Sequence, residues 1–567
     1  IAPLRIARVP VELAETVEYE ELTLTDCQRE LIETIRSFFG RNTPSRFLVH
    51  GVTGSGKTEI YLRLIGEAVK RGGSAIFLVP EIGLTPLLGR LVVSRFPGRV
   101  SLLHSGMSDG ERFDQWERIR DGRASVVVGT RSAVFAPLKN LRLVIIDEEQ
   151  DGSYKQDESP CYHAREVAWQ RIRQTRGILV MGSATPSIET FHQAAICGDA
   201  GYFNIPERVN ARPMPVISVV DMREEFQRRG KNVIISQQLE QELASCMERR
   251  EQAIVLLNRR GYARALLCRS CGHIYLCSDC SISMTYHRQE GRLACHYCGR
   301  EREVPEECAE CGGSYIHYAG AGTEQLEALL RALMPGARIA RLDRDTTRRR
   351  GVLRTTLLDF SKRKLDILVG TQMLAKGHDF PDVTLVGVIA ADTGLAFPDF
   401  RAAERTFQLM TQVAGRAGRG TAAGRVVIQS YCPENYALRC ATKQDYRSFY
   451  EHEINFRRLM GYPPFQNLVQ ILVSDPDFDA ARRTAEKTAL AVRQGIEHLD
   501  AGARPRVLGP AVAPLEKIRG KYRIQLLLKN RPGTDLSPVL HESLKELFRH
   551  GRLSARIHID VDPLSLL

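Results

Sequence analysis

Apolar residues along the first part of the chain fall into short runs separated by stretches with helical spacing. Such runs stand at 46–50, 75–79, 126–128, 143–146 and 177–181. Over 59–65, in contrast, apolar residues recur at positions that share one face of a helix. Buried strands that alternate with amphipathic helices are typical of an α/β domain built on a parallel sheet. We therefore predict an α/β lobe over residues 23–234, preceded by a short segment or linker at 1–22.

The same pattern starts again near residue 236. Apolar runs at 252–257, 365–369 and 385–391 predict three further core strands, and 323–333 predicts a helix. A cysteine-rich block at 266–315 interrupts this second lobe, which we place at 235–460.

From residue 461 onward the order of predicted elements changes. Strands are predicted at 468–473, 506–508, 522–528 and 555–559, and helices at 480–499 and 538–550. The order β-α-β-β-α-β predicts a ferredoxin-like α+β domain over 461–567.

The first apolar run leads directly into a glycine-rich loop at 51–58. The loop fits G-x-x-x-x-G-K-[ST], in which backbone N–H groups and a helix N-terminus surround the phosphates of a nucleoside triphosphate. A glycine loop formed by chance is the alternative, which the flanking strand and helix disfavour. The predicted nucleotide-binding residues are Gly51, Gly54, Ser55, Gly56, Lys57 and Thr58, with Lys57 on the phosphates and the Thr58 hydroxyl on Mg²⁺. Upstream, Gln28 is a candidate for recognising adenine through two hydrogen bonds, and a surface glutamine is the alternative.

Carboxylates follow the apolar run at 143–146. Parallel strands end at one edge of their sheet, so these acids should lie beside the phosphate loop. We expect Asp147 to hold Mg²⁺ through water and Glu148 to orient and deprotonate the attacking water. A strand that merely happens to end in acids is the alternative. The hydroxyl-bearing residues at 183–187 could bond to the segment 147–150 and relay the nucleotide state.

Aromatic and basic residues interleave over 151–165. Aromatic rings can stack on bases and cations can hold phosphates, so this segment is a candidate contact for single-stranded DNA; a loop with buried aromatics is the alternative. The polar and basic turn that follows the strand at 126–128 is a second candidate contact. The alternative interpretation is an ordinary strand-to-helix turn. The predicted DNA-binding residues are Tyr154, Lys155, Tyr162, Arg165, Thr130 and Arg131.

Two arginines and a glutamine near the end of the second lobe share a helical spacing. Gln412, Arg416 and Arg419 are four and then three positions apart, which puts them on one face of a helix. Arg416 and Arg419 could therefore reach a γ-phosphate as arginine fingers. A basic helix face without such a role is the alternative.

Eight of the fourteen cysteines form four C-x-x-C pairs, which are Cys268/Cys271, Cys277/Cys280, Cys295/Cys298 and Cys308/Cys311. Tetrahedral Zn²⁺ needs four ligands, so four pairs predict two closed sites. A nested pairing is favoured, because the two inner pairs enclose a loop close to that of a zinc ribbon. Sequential pairing would require a tight closure between the first two pairs, and crossed pairing would entangle the loops. Four free pairs are a poor alternative, and we expect the block to lie on the surface, facing DNA or partners.

The overall composition agrees with a polyanion partner. The 567 residues carry a formal net charge of +12, and no apolar run approaches the length that spans a bilayer. We expect a soluble, intracellular protein without membrane contact. A chain that begins at Ile1 leads us to expect that a further segment precedes it.

Taken together, these motifs resemble those of superfamily 2 helicases and, more narrowly, of the PriA family of primosomal replication-restart helicases. The resemblance extends from about residue 20 to the end, and the four cysteine pairs are its most specific part. It implies an α/β fold of two RecA-like lobes, with a two-zinc insertion in the second lobe and the ferredoxin-like domain at the C-terminus. The segments that carry it are 51–58, 80–85, 129–133, 147–149, 182–187, 258–262, 370–381 and 412–419.

The resemblance also implies an activity and a setting. It implies an ATP-dependent 3′→5′ DNA helicase with ATP, Mg²⁺ and two Zn²⁺ per chain, acting in the bacterial cytoplasm at the nucleoid. Such a helicase recognises stalled forks and recombination intermediates and initiates primosome assembly. The implied partners are forked and single-stranded DNA, single-strand-binding protein, and the primosome proteins that load the replicative helicase.

Two features depart from the family pattern. Gln150 stands where the family usually has histidine, which should alter coupling between the lobes in detail rather than abolish it. The family begins with a 3′-end-binding domain and a winged-helix domain, and neither stands before Glu20 in this sequence, so we expect this segment to keep the motor but not fork-end recognition. Two rival functions remain: a duplex DNA translocase that does not separate strands, and a non-enzymatic assembly platform. The intact Lys57, Glu148 and Arg419 argue against the platform.

Overall fold

The structure, a computed structural model, divides into two compact units. Among the described residues, the first unit contains those before Pro213 and the second contains those from Met214 onward. The residues that the structure describes are 22–80, 86–209, 214–230, 233–258, 265–287, 291–318, 322–343, 346, 352–375, 380–418, 423–549 and 555–566.

The first unit is built on a parallel sheet of seven strands in the order β3-β4-β2-β5-β8-β1-β9. Three of its inner strands, β2, β4 and β8, are buried along their whole length, which explains their continuous apolar runs. A short antiparallel ribbon, β6–β7, stands apart from the sheet. The strands are β1 (Ser45–Gly51), β2 (Ser74–Leu78), β3 (Val100–Leu103), β4 (Val126–Gly129), β5 (Leu141–Asp147), β6 (Lys155–Gln156), β7 (Tyr162–His163), β8 (Ile178–Ser183) and β9 (Gly201–Ile205).

Helices join these strands and cover the sheet. The first helix begins at a capping box, in which the Thr25 side chain accepts from the Gln28 backbone and the Gln28 side chain accepts in return from the Thr25 backbone. The core of the unit contains Phe47, Ile65 and Phe77, all buried. The helices are α1 (Asp26–Arg36), α2 (Lys57–Lys70), α3 (Pro86–Arg95), α4 (Asp109–Arg120), α5 (Ala164–Thr175) and α6 (Ile188–Phe191).

The second unit contains a parallel sheet of six strands in the order β10-β20-β19-β11-β18-β17, together with three antiparallel sheets. The sequence boundary between the lobes was expected at 234/235, but β10 pairs with β20 and therefore belongs to the second unit. The strands are β10 (Val216–Asp221), β11 (Gln252–Leu257), β12 (Leu266–Cys268), β13 (Thr285–His287), β14 (Arg292–Ala294), β15 (Glu301–Glu303), β16 (Ile316–Tyr318), β17 (Ile339–Leu342), β18 (Ile367–Gly370), β19 (Val383–Ile389), β20 (Arg425–Ser430), β21 (Asn467–Asp475), β22 (Arg506–Ile518), β23 (Lys521–Asn530) and β24 (Arg556–Val561).

Ten helices of the described chain belong to this unit. They are α7 (Met222–Arg229), α8 (Gln237–Glu248), α9 (Thr323–Leu333), α10 (Val352–Ser361), α11 (Asp392–Leu395), α12 (Ala402–Ala414), α13 (Tyr436–Lys443), α14 (Tyr446–Met460), α15 (Phe478–Glu497) and α16 (Ser537–Arg549). None of the helices in the described ranges, in either unit, is long and apolar enough to cross a membrane.

The C-terminal part follows the predicted order of elements. It runs β21-α15-β22-β23-α16-β24, and its antiparallel sheet has the order β22-β23-β21-β24. This order places the first strand between the third and the fourth, as in ferredoxin-like domains. The prediction of a ferredoxin-like C-terminal domain is therefore confirmed.

The cysteine block lies between β11 and α9 of the second unit. It consists of the antiparallel pair β12–β16 and the three-stranded sheet β13-β14-β15. Part of the block shares one apolar core with the C-terminal domain, in which Tyr297 of the block lies with Phe400, Tyr462 and Leu508. The block is thus an insertion in the second lobe that also packs on the domain that follows.

Candidate nucleotide site and metal centres

The glycine loop stands between β1 and α2, as its sequence predicts. Gly54 and Gly56 have positive φ angles of 86° and 77°, which glycine adopts without steric cost. A Cβ atom at Gly56 would lie 2.6 Å from Gln28 Nε2, so the neighbouring side chain also requires glycine. The Lys57 ammonium donates to the Gly51 carbonyl at 2.6 Å, which holds the lysine over the loop.

Gln28 is buried against this loop and is not a surface glutamine. Its Nε2 donates to the Ser55 carbonyl at 2.8 Å, and its Oε1 accepts from the Thr25 backbone at 2.9 Å. The side chain therefore joins the start of α1 to the phosphate loop. Recognition of adenine by Gln28 stays a prediction.

Asp147 ends β5, and β8 alone separates β5 from β1 in the sheet. Its Oδ1 accepts a hydrogen bond from the hydroxyl of Tyr61, a buried residue of α2. Burial, followed by the nearby Glu148 carboxylate, raises the pKa of Asp147 to about 6, while the Lys57 charge opposes this rise. An anionic Asp147 is therefore costly here unless a cation offsets it, which suits a ligand of Mg²⁺.

Glu148 adopts a left-handed backbone with φ of 48°, which is rare for a residue other than glycine. Its Oε2 accepts from Gln150 Nε2 at 2.7 Å, and Gln150 Oε1 accepts from the Ser183 hydroxyl at 2.6 Å. Ser183 also accepts from the Thr185 backbone N–H at 2.8 Å. The expected hydrogen bond between the 183–187 hydroxyls and the acidic segment is thus confirmed, whereas the relay of nucleotide state stays a prediction.

Arg165 lies in an ion pair with the buried carboxylate of Glu149. Its Nη1 is 3.1 Å from Glu149 Oε2, and the same nitrogen donates to the Thr190 hydroxyl at 2.7 Å. Burial would lower the pKa of Arg165, but the carboxylates of Glu166 and Glu149 outweigh it and raise the pKa above its ordinary value. The arginine joins the acidic segment to α6, and no sequence motif had singled out Glu149 for that role.

Three other predicted DNA-binding side chains are buried, namely Tyr154, Lys155 and Thr130. The Tyr154 hydroxyl donates to the Asp147 carbonyl at 2.7 Å, which places the ring behind the acidic strand end. The structure thus places Tyr154 as a support for the acids, and DNA contact by these side chains stays a prediction.

Arg131 and Tyr162 lie together nearer the surface. The Arg131 guanidinium carbon is 6.0 Å from the centre of the Tyr162 ring, and Arg131 Nη1 donates to the Lys155 carbonyl at 2.5 Å. The predicted contact set is therefore divided into a half-buried cation–ring pair and a group of buried residues.

The helix predicted around Gln412 is α12, which ends at Ala414. Arg416 follows it in a turn, where its backbone N–H donates to the Val413 carbonyl at 2.9 Å. Arg419 lies outside the described residues, as do the positions 81–85, 259–262 and 376–379 of the quoted motifs. The finger role of both arginines stays a prediction.

The eight paired cysteines form two groups of four, in the nested arrangement. One group contains Cys268, Cys271, Cys308 and Cys311, and the other contains Cys277, Cys280, Cys295 and Cys298. Sγ atoms from facing pairs are 3.7 Å apart in both groups. Tetrahedral zinc with Zn–S bonds of about 2.3 Å requires sulfur atoms about 3.8 Å apart, so both groups fit Zn²⁺. The nested pairing is confirmed.

All four pairs adopt the same turn. In each pair the first cysteine's carbonyl accepts from the backbone N–H four residues later, at 2.8–2.9 Å. That later residue has a positive φ and is glycine in three of the turns and Ser281 in the fourth. In chain order these four residues are Gly272, Ser281, Gly299 and Gly312. Each pair therefore holds its thiols in a turn that its own backbone closes.

The two centres differ in what surrounds them. We call the Cys277 group the inner centre and the Cys268 group the outer centre. At the inner centre the Tyr462 hydroxyl donates to the Cys280 carbonyl at 2.8 Å. At the outer centre the Cys432 thiol donates to the Gly272 carbonyl at 2.9 Å, and Cys311 is exposed. The expectation of a surface block is therefore wrong for the inner centre, because that centre packs into the core shared with the C-terminal domain.

A phosphate loop beside an acidic strand end, in a chain with a second parallel sheet and two four-cysteine centres, defines a superfamily 2 helicase. Family models match four parts of the chain: a DEAD/DEAH box helicase at 25–194, a helicase conserved C-terminal domain at 313–421, the PriA DNA helicase Cys-rich region at 277–302, and the primosomal protein N C-terminal domain at 458–564.

Curated relatives identify the family. The chain is 45% identical to the replication restart protein PriA of Bacillus subtilis (strain 168) over 97% of this chain and 67% of that protein. It is 41% identical to the proteins of the same name from Synechocystis and Treponema pallidum, covering 96% and 95% of this chain and 65% and 80% of those proteins. The chain belongs to the PriA family of replication restart helicases, and it spans about two thirds of the length of the first two relatives.

Proposed function

We propose that the chain hydrolyses ATP and uses the energy to move 3′→5′ along DNA and separate its strands. One observation carries this proposal: Lys57, Asp147 and Glu148 lie near one another at one edge of the first sheet. The positive charge of Lys57 acts to lower the pKa of Asp147. We place nucleotide binding in the first unit. We assign the second motor lobe, its cysteine block and the C-terminal domain to the second unit.

In this mechanism each residue of the site has a separate task. The loop N–H groups and Lys57 bind the phosphates, and the Thr58 hydroxyl and Asp147 would hold Mg²⁺, which would offset the negative charge of the phosphates. Glu148 accepts a proton from the attacking water, and its bond from Gln150 fixes the carboxylate that does so. Arg416 and Arg419 supply positive charge as the γ-phosphate leaves.

Gln150 has a second task in this proposal. It bonds at the same time to Glu148 and to Ser183, so that a change at either end moves the other. A histidine could also bridge two groups, but glutamine does so without titrating near neutral pH. We propose that coupling through this position is retained with a weaker pH dependence.

The biological setting rests on family membership. We propose that the protein recognises stalled or collapsed forks and recombination intermediates and initiates primosome assembly in the bacterial cytoplasm, at the nucleoid. Its proposed partners are forked and single-stranded DNA, single-strand-binding protein and the proteins that load the replicative helicase. The net charge of +12 supports a polyanion partner.

One experiment tests the motor and separates it from its main rival. ATP hydrolysis is measured with single-stranded, duplex and forked DNA, and strand displacement is measured on the same fork. A helicase shows DNA-stimulated hydrolysis and displaces a strand. Stimulated hydrolysis without displacement would identify a duplex translocase, and the absence of any hydrolysis would identify an assembly platform.

A further inference from the structure

Phe135 presents its ring to solvent at the carboxyl edge of the first sheet. Its side chain is 54% exposed, although phenylalanine is normally buried. It ends the short 3₁₀ turn Arg131–Phe135, which directly follows β4. Ligands of open parallel sheets bind outside the carboxyl ends of the strands, so the ring occupies a place where ligands arrive.

The exposed ring belongs to a small aromatic cluster. It packs edge-to-face on Tyr162, with ring centres 5.0 Å apart, and the Arg131 guanidinium also lies against Tyr162. We call Phe135, Tyr162 and Arg131 the ring platform. A cluster of one exposed ring, one half-buried ring and one cation matches the chemistry that binds unpaired bases next to phosphates.

Partly buried hydrogen bonds hold the turn that carries the platform. Arg171 of α5 donates to the Val134 carbonyl and, at 2.9 Å, to the Ala136 carbonyl, on either side of Phe135. Arg131 donates to the Lys155 carbonyl, which ties the turn to the β6–β7 ribbon. The backbone that carries the ring is therefore held in place without a ligand, which lowers the entropy cost of binding.

We propose that Phe135 is a base-stacking residue for an unpaired nucleic-acid strand, supported by Tyr162 and flanked by Arg131. The proposal rests on the proposed function and adds a contact that the sequence motifs did not single out. Stacking is tolerant of sequence because every base has an aromatic face, so the platform binds strands of any composition.

The test compares two strands of equal length on the full chain. One is a labelled oligothymidylate, and the other is a deoxyribose-phosphate strand without bases. Binding is measured by anisotropy, without nucleotide, for the parent chain, Phe135→Ala and Phe135→Trp. The matched control is Phe113→Ala, which removes a ring that is 51% exposed on α4, a helix that contains none of the three platform residues.

Phe135→Ala should weaken binding to oligothymidylate by about 5- to 150-fold, which is what one lost stack of about 1–3 kcal/mol produces. Binding to the strand without bases should stay within about twofold, and Phe113→Ala should bind both strands as the parent does. Phe135→Trp should retain affinity, and its new fluorescence should be quenched by the base-containing strand.

Three results would overturn stacking by Phe135: unchanged affinity of Phe135→Ala for oligothymidylate, equal losses on both strands, or a Phe135→Trp signal that the strand does not alter. An equal loss would point to a contact with the sugar-phosphate chain. If the parent chain binds and unwinds DNA in these cases, the proposed function stands and only the stacking role falls. A parent chain that binds neither strand would instead contradict the proposed function.

Discussion

The nucleotide edge of the first unit and the cysteine block of the second were both predicted from short spacings, but they are built in opposite ways. At the nucleotide edge, charged groups are wholly or partly buried beside one another: Glu149 is buried, and Asp147 and Arg165 are half-buried. The cysteine block instead closes its own backbone bonds and, at the inner centre, packs against Tyr297 and Tyr462.

This difference separates function from stability. Burying charge costs free energy that the fold does not recover in full, so such groups indicate a site built for a ligand. Zinc bound by four thiolates contributes folding free energy directly. Changes at the nucleotide edge should therefore remove activity and leave the fold intact, whereas changes at the inner centre should weaken the fold.

The largest effect should come from Lys57→Ala. Loss of the ammonium removes a phosphate contact, so we expect ATP hydrolysis to fall at least about 100-fold, while DNA affinity and the melting temperature change little. Hydrolysis, DNA binding and thermal melting check this, with Lys70→Ala at the exposed end of the same helix as the control. Hydrolysis near the parent rate would remove Lys57 from the site.

Glu148→Gln should separate binding from turnover. The carboxylate acts on water rather than on the nucleotide, so the variant should bind ATP as the parent does. Its rate of ATP hydrolysis should fall by at least about 100-fold. Equilibrium binding and single-turnover hydrolysis measure the two steps, and Glu30→Gln on the exposed face of α1 is the control. A large loss of ATP affinity with unchanged turnover would contradict the assigned role.

The two metal centres can be compared directly with Cys277→Ser and Cys311→Ser. Each should lower the zinc content from two ions per chain to one. Cys277→Ser should destabilise the chain by several kcal/mol, because its centre lies in the shared core, and Cys311→Ser by less, because its side chain is exposed.

Both cysteine variants should impair unwinding or partner assembly more than ATP hydrolysis, since neither centre belongs to the nucleotide edge. Metal analysis, thermal melting, hydrolysis and fork unwinding provide the readouts. Equal melting temperatures for the two variants would contradict the claim that the inner centre contributes more to stability than the outer centre. One zinc or none in the parent chain would refute the count of two.

The smallest effect concerns the charge of Asp147 in the chain without nucleotide or Mg²⁺. Its pKa is raised from 3.8 to about 6, so the folded chain holds this proton more tightly than the unfolded chain. The stability that this group contributes is complete below about pH 4 and is lost as the pH rises through 6. Asp147→Asn should therefore be more stable than the parent by about 1–3 kcal/mol at pH 7.5.

This advantage of Asp147→Asn should disappear towards pH 4, where both side chains are neutral, and denaturant unfolding at several pH values measures it. Asp114→Asn on the helix α4 controls for a change of net charge. If the parent chain is more stable than Asp147→Asn at pH 7.5, burial of the ionised Asp147 carboxylate does not destabilise the fold.

Much of this architecture could be predicted because its signals are local. The glycine loop, the acids after β5 and the four cysteine turns each depend on a few neighbouring residues, and the ferredoxin-like order follows from periodicity. Even the nested cysteine pairing follows from loop length.

The features that sequence reasoning missed depend on long-range contacts. An interleaved aromatic and basic segment does not reveal which side chains face inward, and Tyr154 is buried because its hydroxyl meets the Asp147 carbonyl. Arg165 is held by Glu149 and Thr190, and β10 joins the second sheet by pairing with β20, more than 200 residues away in the sequence. Phe135 carries no motif at all, and only its exposure indicates a role.

The most direct test of the whole account is strand displacement on a forked DNA by the parent chain with its zinc in place. We predict that the fork is unwound with ATP, but not with a non-hydrolysable analogue or by the Lys57→Ala variant. Fork separation that proceeds equally with the analogue, or DNA-stimulated hydrolysis that never separates the strands, would contradict an ATP-driven helicase.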